Sequence, residues 1–463
     1  MAGPRTRDLT TGPVYRHLVY LGLPTVLAVA AIMSVSVVDT YFVGRLGEDE
    51  LAAISFCFPV TTTLMSLAIG LSAGSASVVA RAAGRRDERR IRRLAEDALI
   101  LSSLALIALS VAGWFTAEPL FRLLGAQERL LPHILAYMRT WYAGLVFIGG
   151  AIVINGILRA LGEARAPAAV MVAVSLLNFV LDPLFIFGIG PFPRMEVQGA
   201  AFVTVIGNIA AFCVFLWLLA RRQHAITLKR PKWEELKSSW AEIARVGAPA
   251  AISNSINPAG ITLATASLAR FGAEAVAGFG VATRIETFAL VPLLALSGSI
   301  GPVTGQNGGA GEDERVKRAF AVSFAFALGY GLFMAAVLAA SSVPLTGLFS
   351  DHEETLRVAR LYLWMVPVTA AGYGVVIAAS AGFNALGRPL NGLGMTLTRS
   401  LVLYAPGAWI GGTIAGPAGA IAAIALANIA AGLGSVLWTL RFGEMTAHGG
   451  PGGHRNPAAK TAG

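Results

Sequence analysis

The chain has 463 residues, 55% of them hydrophobic and 13% charged, with a mean hydropathy of +0.66. A soluble domain carries about 25% charged residues, so composition excludes a soluble enzyme. A net charge of +10 would suggest nucleic acid in a soluble chain; beside long apolar runs it reads instead as loop charge bias at a membrane, with no nucleic-acid partner.

The N-terminus is basic and then apolar, like a signal peptide. The run from Leu18 to Gly44 is too long for a signal core and lacks a convincing cleavage site, so it is expected to be the first transmembrane helix. Apolar runs of about 20 residues predict helices, whereas barrel strands would be shorter and alternating. Spans are expected at 16–43, 51–79, 94–116, 134–158, 166–188, 198–220, 242–268, 275–305, 319–342, 358–382, 389–411 and 416–440. The fold class is all-α polytopic membrane protein, with twelve transmembrane helices in two six-helix lobes. The expected division is 1–220 for the first lobe, 221–241 for a linker, 242–440 for the second lobe and 441–463 for a tail.

Lys and Arg fix the direction. Alternate loops hold 25 on one side and 6 on the other, which predicts both termini in the cytoplasm of a bacterial-type inner membrane. The run Arg85-Arg86-Asp87-Glu88-Arg89-Arg90 is most simply a cytoplasmic anchor in contact with acidic lipid.

The two halves repeat at an offset of 225 residues. Gly22-x-Pro24 matches Gly247-x-Pro249, Ser72 matches Ser297, and Gly84 matches Gly309; Tyr137 matches Tyr362, and Ala160-Leu161-Gly162 matches Ala385-Leu386-Gly387. Six spans return the chain to its starting side. The halves therefore share one orientation about an axis along the membrane normal, a transporter architecture with a site at the interface.

An ionisable residue inside a span costs about 2.5–3.5 kcal/mol on insertion scales and marks a functional candidate. The first lobe has Asp39 and Asp182. Asn178 shares a helix face with Asp182, and Thr204 shares one with Asn208. Counting along their helices puts both acids in the outer half, where a shared site would titrate as a coupled pair and take up a proton from outside. The alternative is two interfacial acids facing external water. The second lobe has Ala264 and Gly407 at the aligned positions. Its own candidates, Arg284 and Glu286, are secondary and open to a structural or a transport role. Pro24, Pro59, Pro249 and Pro292 interrupt spans, and Pro24 permits a bend below Asp39.

No Walker A sequence is present, and the histidines have no metal-ligand spacing. Gly305-Gln306-Asn307-Gly308-Gly309-Ala310-Gly311 reads as a turn at a span end. Cys57 and Cys213 read as buried thiols, not a disulfide.

Val38 to Gly47 followed by Leu51-Ala52-Ala53 resembles the first-loop signature of the multidrug and toxic compound extrusion (MATE) family. Gly305-Gln306-Asn307 resembles its second-lobe counterpart, and Leu158 to Gly162 the motif ending the fourth span; Asn178 through Pro183 looks like the DinF-like branch. The resemblance implies no enzyme and no cofactor, but efflux of organic, often cationic, compounds in exchange for H⁺ or Na⁺. It implies an ion-coupling and substrate network of Asp39, Asn178, Asp182, Thr204 and Asn155, with Pro24 as the helix-bend position. Depth counting places Asn155 nearer the inner face, so its membership requires a bend or tilt. No catalytic or resident metal residue is implied, although Na⁺ could sit at Asp39, Asn178 and Asp182. Expected partners are small organic substrates and membrane lipids, with the chain a monomer. The alternative is a lipid or lipid-linked oligosaccharide flippase of the wider superfamily, for which a more basic central cavity is expected. Buried acids outnumber buried bases in the first lobe, which favours cations.

Overall fold

In the computed structural model of the protein, residues 4–226, 233–349 and 352–447 are described, with 442–447 by backbone only. Among them there are helices and connections but no strand. This follows from the apolar runs, because in lipid every backbone N–H and C=O must be satisfied within the segment. Large apolar side chains such as Phe115, Val180, Leu332 and Leu433 remain exposed on the flanks, the belt that faces lipid.

The first lobe comprises α1 (Val14–Gly44), α2 (Glu48–Gly84), α3 (Glu88–Leu123), α4 (Leu131–Ala160), α5 (Arg165–Phe187) and α6 (Glu196–Trp217). The second begins with α7 (Trp233–Leu268), a bent pair α8 (Ala273–Ala289) and α9 (Val291–Ala310), and α10 (Asp313–Gly347). It continues with α11 (Glu353–Met365) and α12 (Ala370–Ala385), then α13 (Pro389–Leu397), a π-helical turn (Thr398–Tyr404) and α14 (Ala405–Ala447). Nine stretches are each long and apolar enough to cross a membrane, and the α8–α9 pair, bent by 45°, makes a tenth crossing. The stretch from Pro389 to Arg441 folds back at Ala415 and Gly416, where Gly411 packs on Gly419, and so crosses twice. With α7, twelve crossings result.

Three expectations about local structure change. Pro24, Pro59 and Pro249 lie inside continuous helices, and only Pro292 sits at a break, beside Leu290. Helix α7 starts at Trp233, within the expected linker, and runs straight into the seventh span, while 227–232 and the tail beyond 447 lie outside the described residues. Cys57 is buried, but Cys213 is exposed and both are free. The run from Gly305 to Ala310 is helix, not turn; α9 ends only at Gly311, at φ +78°.

Those glycines are there for helix packing. Gly84 of α2 abuts the Gln306 carbonyl of α9, and Gly309 of α9 abuts the Arg81 carbonyl of α2. Residues 81 and 306 are themselves 225 apart, as are 84 and 309. The contact is thus self-complementary about a pseudo-two-fold axis, as in an isologous interface. Gly22 against Ser299 and Gly74 against Gly247 repeat the pattern. Each lobe also ends a helix with the same turn. Gly162 (φ +85°) donates to the Arg159 carbonyl at 2.9 Å, and Gly387 (φ +75°) to that of Asn384 at 3.0 Å. Glycine suits both, since this left-handed cap penalises a Cβ.

Every hydrogen bond and ion pair found between the lobes, among the described residues, lies in the half of the bundle that carries the N-terminus. Arg90 of α3 pairs with Glu242 of α7 at 2.8 Å, Arg93 with Glu235 at 3.3 Å, and Ser77 donates to the Asn384 carbonyl at 2.6 Å. The segment before α1 straps the same face. Arg7 N–H donates to Leu161 O (2.9 Å) in one lobe and Leu9 N–H to Gln306 Oε1 (3.1 Å) in the other; Asn307 Nδ2 donates back to Leu9 O (3.1 Å). Asp8 forms an ion pair with Arg86 at 3.2 Å. The charge run read as a lipid anchor therefore also supplies Arg86 and Arg90 to this closure.

Candidate functional site

Asp39 lies five residues before the end of α1, and Asp182 five before the end of α5. The two helices pack along each other, which brings these positions to one depth. Their carboxylates stand within hydrogen-bonding reach of one another. Asp182 is fully buried, and among the described residues no N–H or O–H donor reaches either of its oxygens or Asp39 Oδ1. One turn earlier on α5, Asn178 is buried, spends its Nδ2 on the Val174 carbonyl at 2.8 Å, and leaves Oδ1 without a donor. No Lys, Arg or His forms an ion pair with either acid among the described residues. Such a group of buried acceptors without donors is unfavourable unless a positive species completes it. A proton bridging the carboxylates would do so, as would a small hard cation held by oxygens. Tyr137 of α4 stands beside both acids; only its repeat match to Tyr362 hinted at a role.

No hydrogen bond joins the other expected members to this pair. Thr204 is half-buried on α6, and its carbonyl accepts from Asn208 Nδ2 at 2.8 Å. Asn155 has a buried, unpartnered Oδ1 but sits near the other end of α4, next to Gly156 and one turn from Arg159. Pro24 lies inside an unbroken α1. Arg284 and Glu286 do not pair: Arg284 is exposed, while Glu286 accepts from the Tyr362 hydroxyl at 2.6 Å.

A cavity of about 460 Å³ lies between the lobes, above the closed face. Thr25, Ser72 and Arg159 line it from the first lobe, and Asn257, Tyr373 and Arg399 from the second; no carboxylate lines it. By the expected spans Arg159 falls just past 134–158, among the loop cations, and Arg399 falls inside 389–411. The rule that singles out a charge inside a span, applied to 389–411, would have found Arg399.

The MatE family model matches this chain twice, at residues 24–184 and 249–410, one match per lobe. A protein of Shewanella oneidensis named FAD transporter is 36% identical over 425 residues, covering 92% of this chain and 94% of its own. A structure described as the outward-facing conformation of a multidrug resistance MATE family transporter superimposes with a TM-score of 0.90 at 27% identity, covering 97% of this chain and 100% of its own. A Pyrococcus furiosus transporter, described as having a binding pocket of reverse polarity that suggests a different function, superimposes at 0.88 and 26% identity, covering 96% and 100%. With the family matched once in each of two repeated lobes, the chain belongs to the MATE family of multi-pass membrane transporters and is not an enzyme.

Proposed function

We propose that the protein is a secondary active efflux antiporter that exports organic compounds in exchange for protons by alternating access. The observation that carries this is the Asp39–Asp182 pair, whose buried carboxylate oxygens meet no donor and no counter-charge among the described residues. The bias of Lys and Arg puts both termini in the cytoplasm. The closed, strapped face is then cytoplasmic, and the lobes part toward the outside. The first lobe runs to about residue 220 and the second from about 242 to 440, with 221–241 joining them.

Helix α1 links ion to cargo. Thr25 and Val29 line the cavity, and Asp39 stands ten residues beyond Val29, about 15 Å along the helix. A proton entering from outside lowers the charge of the acid pair by one and changes how α1 packs on α5. Pro24, at the level of the cavity floor, lacks the N–H of a regular turn and is where such a change can become a bend. Cargo leaves outward, the lobes close outside and part inside, and the proton is released to the cytoplasm. Na⁺ is the competing ion for the same oxygens.

Relatives bearing multidrug and FAD transporter names leave two cargo classes, organic cations and a large organic anion. A lipid flippase would also be expected to have a basic central cavity, so the arginines bear on cargo and are taken up below. The test of coupling is efflux from proteoliposomes under ΔpH or a Na⁺ gradient, imposed separately. Transport under ΔpH alone, lost in Asp39→Asn, is the expected result. Transport driven only by Na⁺ changes the ion, and normal ΔpH-driven export by Asp39→Asn removes the site assignment.

A further inference from the structure

The central cavity has the opposite electrostatics to the first lobe's buried residues. Its charged groups are both guanidinium ions, one from each lobe. Arg159 ends α4 and reaches across the interface to α9, where its Nη1 fills the space a side chain on Gly298 would take. It makes no hydrogen bond or ion pair among the described residues, and its Nε is buried and unpartnered. Arg399 approaches from the other side. It sits in the π-helical turn Thr398–Tyr404, a helical irregularity frequent at functional sites.

Arg399 is held by neutral groups. Its Nε donates to Asn428 Oδ1 at 2.9 Å and its Nη1 to Asn257 Oδ1 at 2.8 Å, and its guanidinium lies 4.0 Å from the centre of the Tyr373 ring. Its Nη2 makes no hydrogen bond. Glu286, the acid whose field reaches Arg399, is engaged by Tyr362 and forms no ion pair with it. Two desolvated guanidinium ions are thus maintained without carboxylates in a pocket that also offers an aromatic face. Guanidinium donors in fork geometry match phosphate oxygens, whereas an organic cation there would meet like charge.

We infer that the cavity binds organic anions bearing phosphate, with Arg159 and Arg399 gripping the anionic group from the two lobes and Tyr373 bordering its organic part. This deepens the transporter reading and rests on it for the direction of transport, but not for binding. An anion spanning both arginines also ties the lobes together, so its occupancy bears directly on their relative movement. The phosphate belongs either to a soluble nucleotide or to a lipid headgroup; the chemistry is the same, and the source is decided by experiment.

Binding is measured on the full-length protein in detergent by fluorescence, with three probes: flavin adenine dinucleotide, riboflavin as the uncharged compound with the same ring, and ethidium as an organic cation. We expect the dinucleotide to bind at least about tenfold more tightly than riboflavin and to weaken about tenfold or more in Arg159→Gln. Arg399→Gln should do the same, but its loss also frees Asn257 and Asn428. Arg159→Gln, which breaks no protein hydrogen bond, is therefore the decisive variant. Gly298→Ala, which displaces the Arg159 guanidinium, should weaken the dinucleotide while sparing riboflavin. In parallel, fluorescent phosphatidylglycerol is followed across proteoliposome bilayers. Lipid movement that needs Arg159, without dinucleotide binding, also supports the anion site and assigns the phosphate to lipid. Equal binding of dinucleotide and riboflavin with no lipid movement, or ethidium bound more tightly than either and unaffected by Arg159→Gln, overturns the inference. Anion binding that persists while neither gradient drives transport would refute the antiport reading alone.

Discussion

Where the first lobe has Asp39 and Asp182, the second has Ala264 and Gly407; where the second has Glu286 and Arg399, the first has Thr61 and Val174. Yet Tyr137 and Tyr362 occupy the same position, each beside an acid of its own lobe. Arg159 and Asn384 are also 225 apart, and both line the central cavity. Glycines, prolines and tyrosines that serve the shared backbone are kept at matched positions, while ionisable groups differ. The two lobes thus form one scaffold with two sites of opposite sign. An acid pair without a counter-charge lies in the first lobe alone, and the basic site draws one arginine from each.

The sharpest way to break this comparison is to remove one acid from each lobe. Asp39→Asn or Asp182→Asn should reduce gradient-driven efflux to the level of empty liposomes with the protein still monodisperse, while Glu286→Gln should leave it coupled. Loss of coupling in Glu286→Gln, with Asp39→Asn active, would move the ion site to the second lobe. The next largest effect concerns what the lobes share. Gly84→Leu and Gly309→Leu each drive a side chain into a carbonyl of the facing helix. Overpacking of this kind costs about 1–3 kcal/mol, and the pseudo-two-fold axis requires similar losses in both. Thiol labelling of a cysteine placed on the closed face should increase in each variant. A large effect at one glycine and none at its partner would show that the matched contacts are not equivalent.

Much of this was legible in the sequence. Twelve spans follow from the length of apolar runs, and the repeat from residues such as Gly84 and Gly309, retained because they lie where two helices touch. Asp39, Asp182 and Asn178 were legible because a charge in an apolar run is anomalous without any structure. The breaks were less so. Pro292 opens α9 just past a helix break while Pro24 and Pro249 lie inside continuous helices, because a proline's effect depends on whether neighbouring helices hold the turn. The Gly305–Ala310 run read as a turn on local propensity, but packing against α2 keeps it helical. Arg159 and Arg399 were missed for a geometric reason. Arg159 stands at a span end, which suggests water, and Arg399 stands inside the span 389–411 with no acid beside it in sequence; the cavity between the lobes admits both.

The lobes also differ in how their tyrosines are used, and here smaller effects separate them. The Tyr362 hydroxyl donates to Glu286, so Tyr362→Phe leaves a half-buried carboxylate without its donor, at a cost of about 1–3 kcal/mol. Tyr137 makes no hydrogen bond among the described residues, so Tyr137→Phe should leave thermal stability nearly unchanged and alter only the ion dependence of transport. Equal destabilisation by both variants would mean that Tyr137 donates to the acid pair as Tyr362 does to Glu286. The smallest effect belongs to the contact with no counterpart in the repeat, the ion pair of Arg90 and Glu242. Both side chains are more than a third exposed, at 40% and 37%. Their attraction is therefore largely screened, and Arg90→Ala should cost only about 0.2–1 kcal/mol, less in high salt. The glycine contacts involve close approach of backbone and side chain, not charge, so salt should not change them. Measuring Arg90→Ala and Gly84→Leu at low and high ionic strength therefore separates the charged part of the closed face from the packed part. If high salt opens the wild-type face as far as Gly84→Leu does, the charged contacts hold the lobes together and the pseudo-symmetric packing does not.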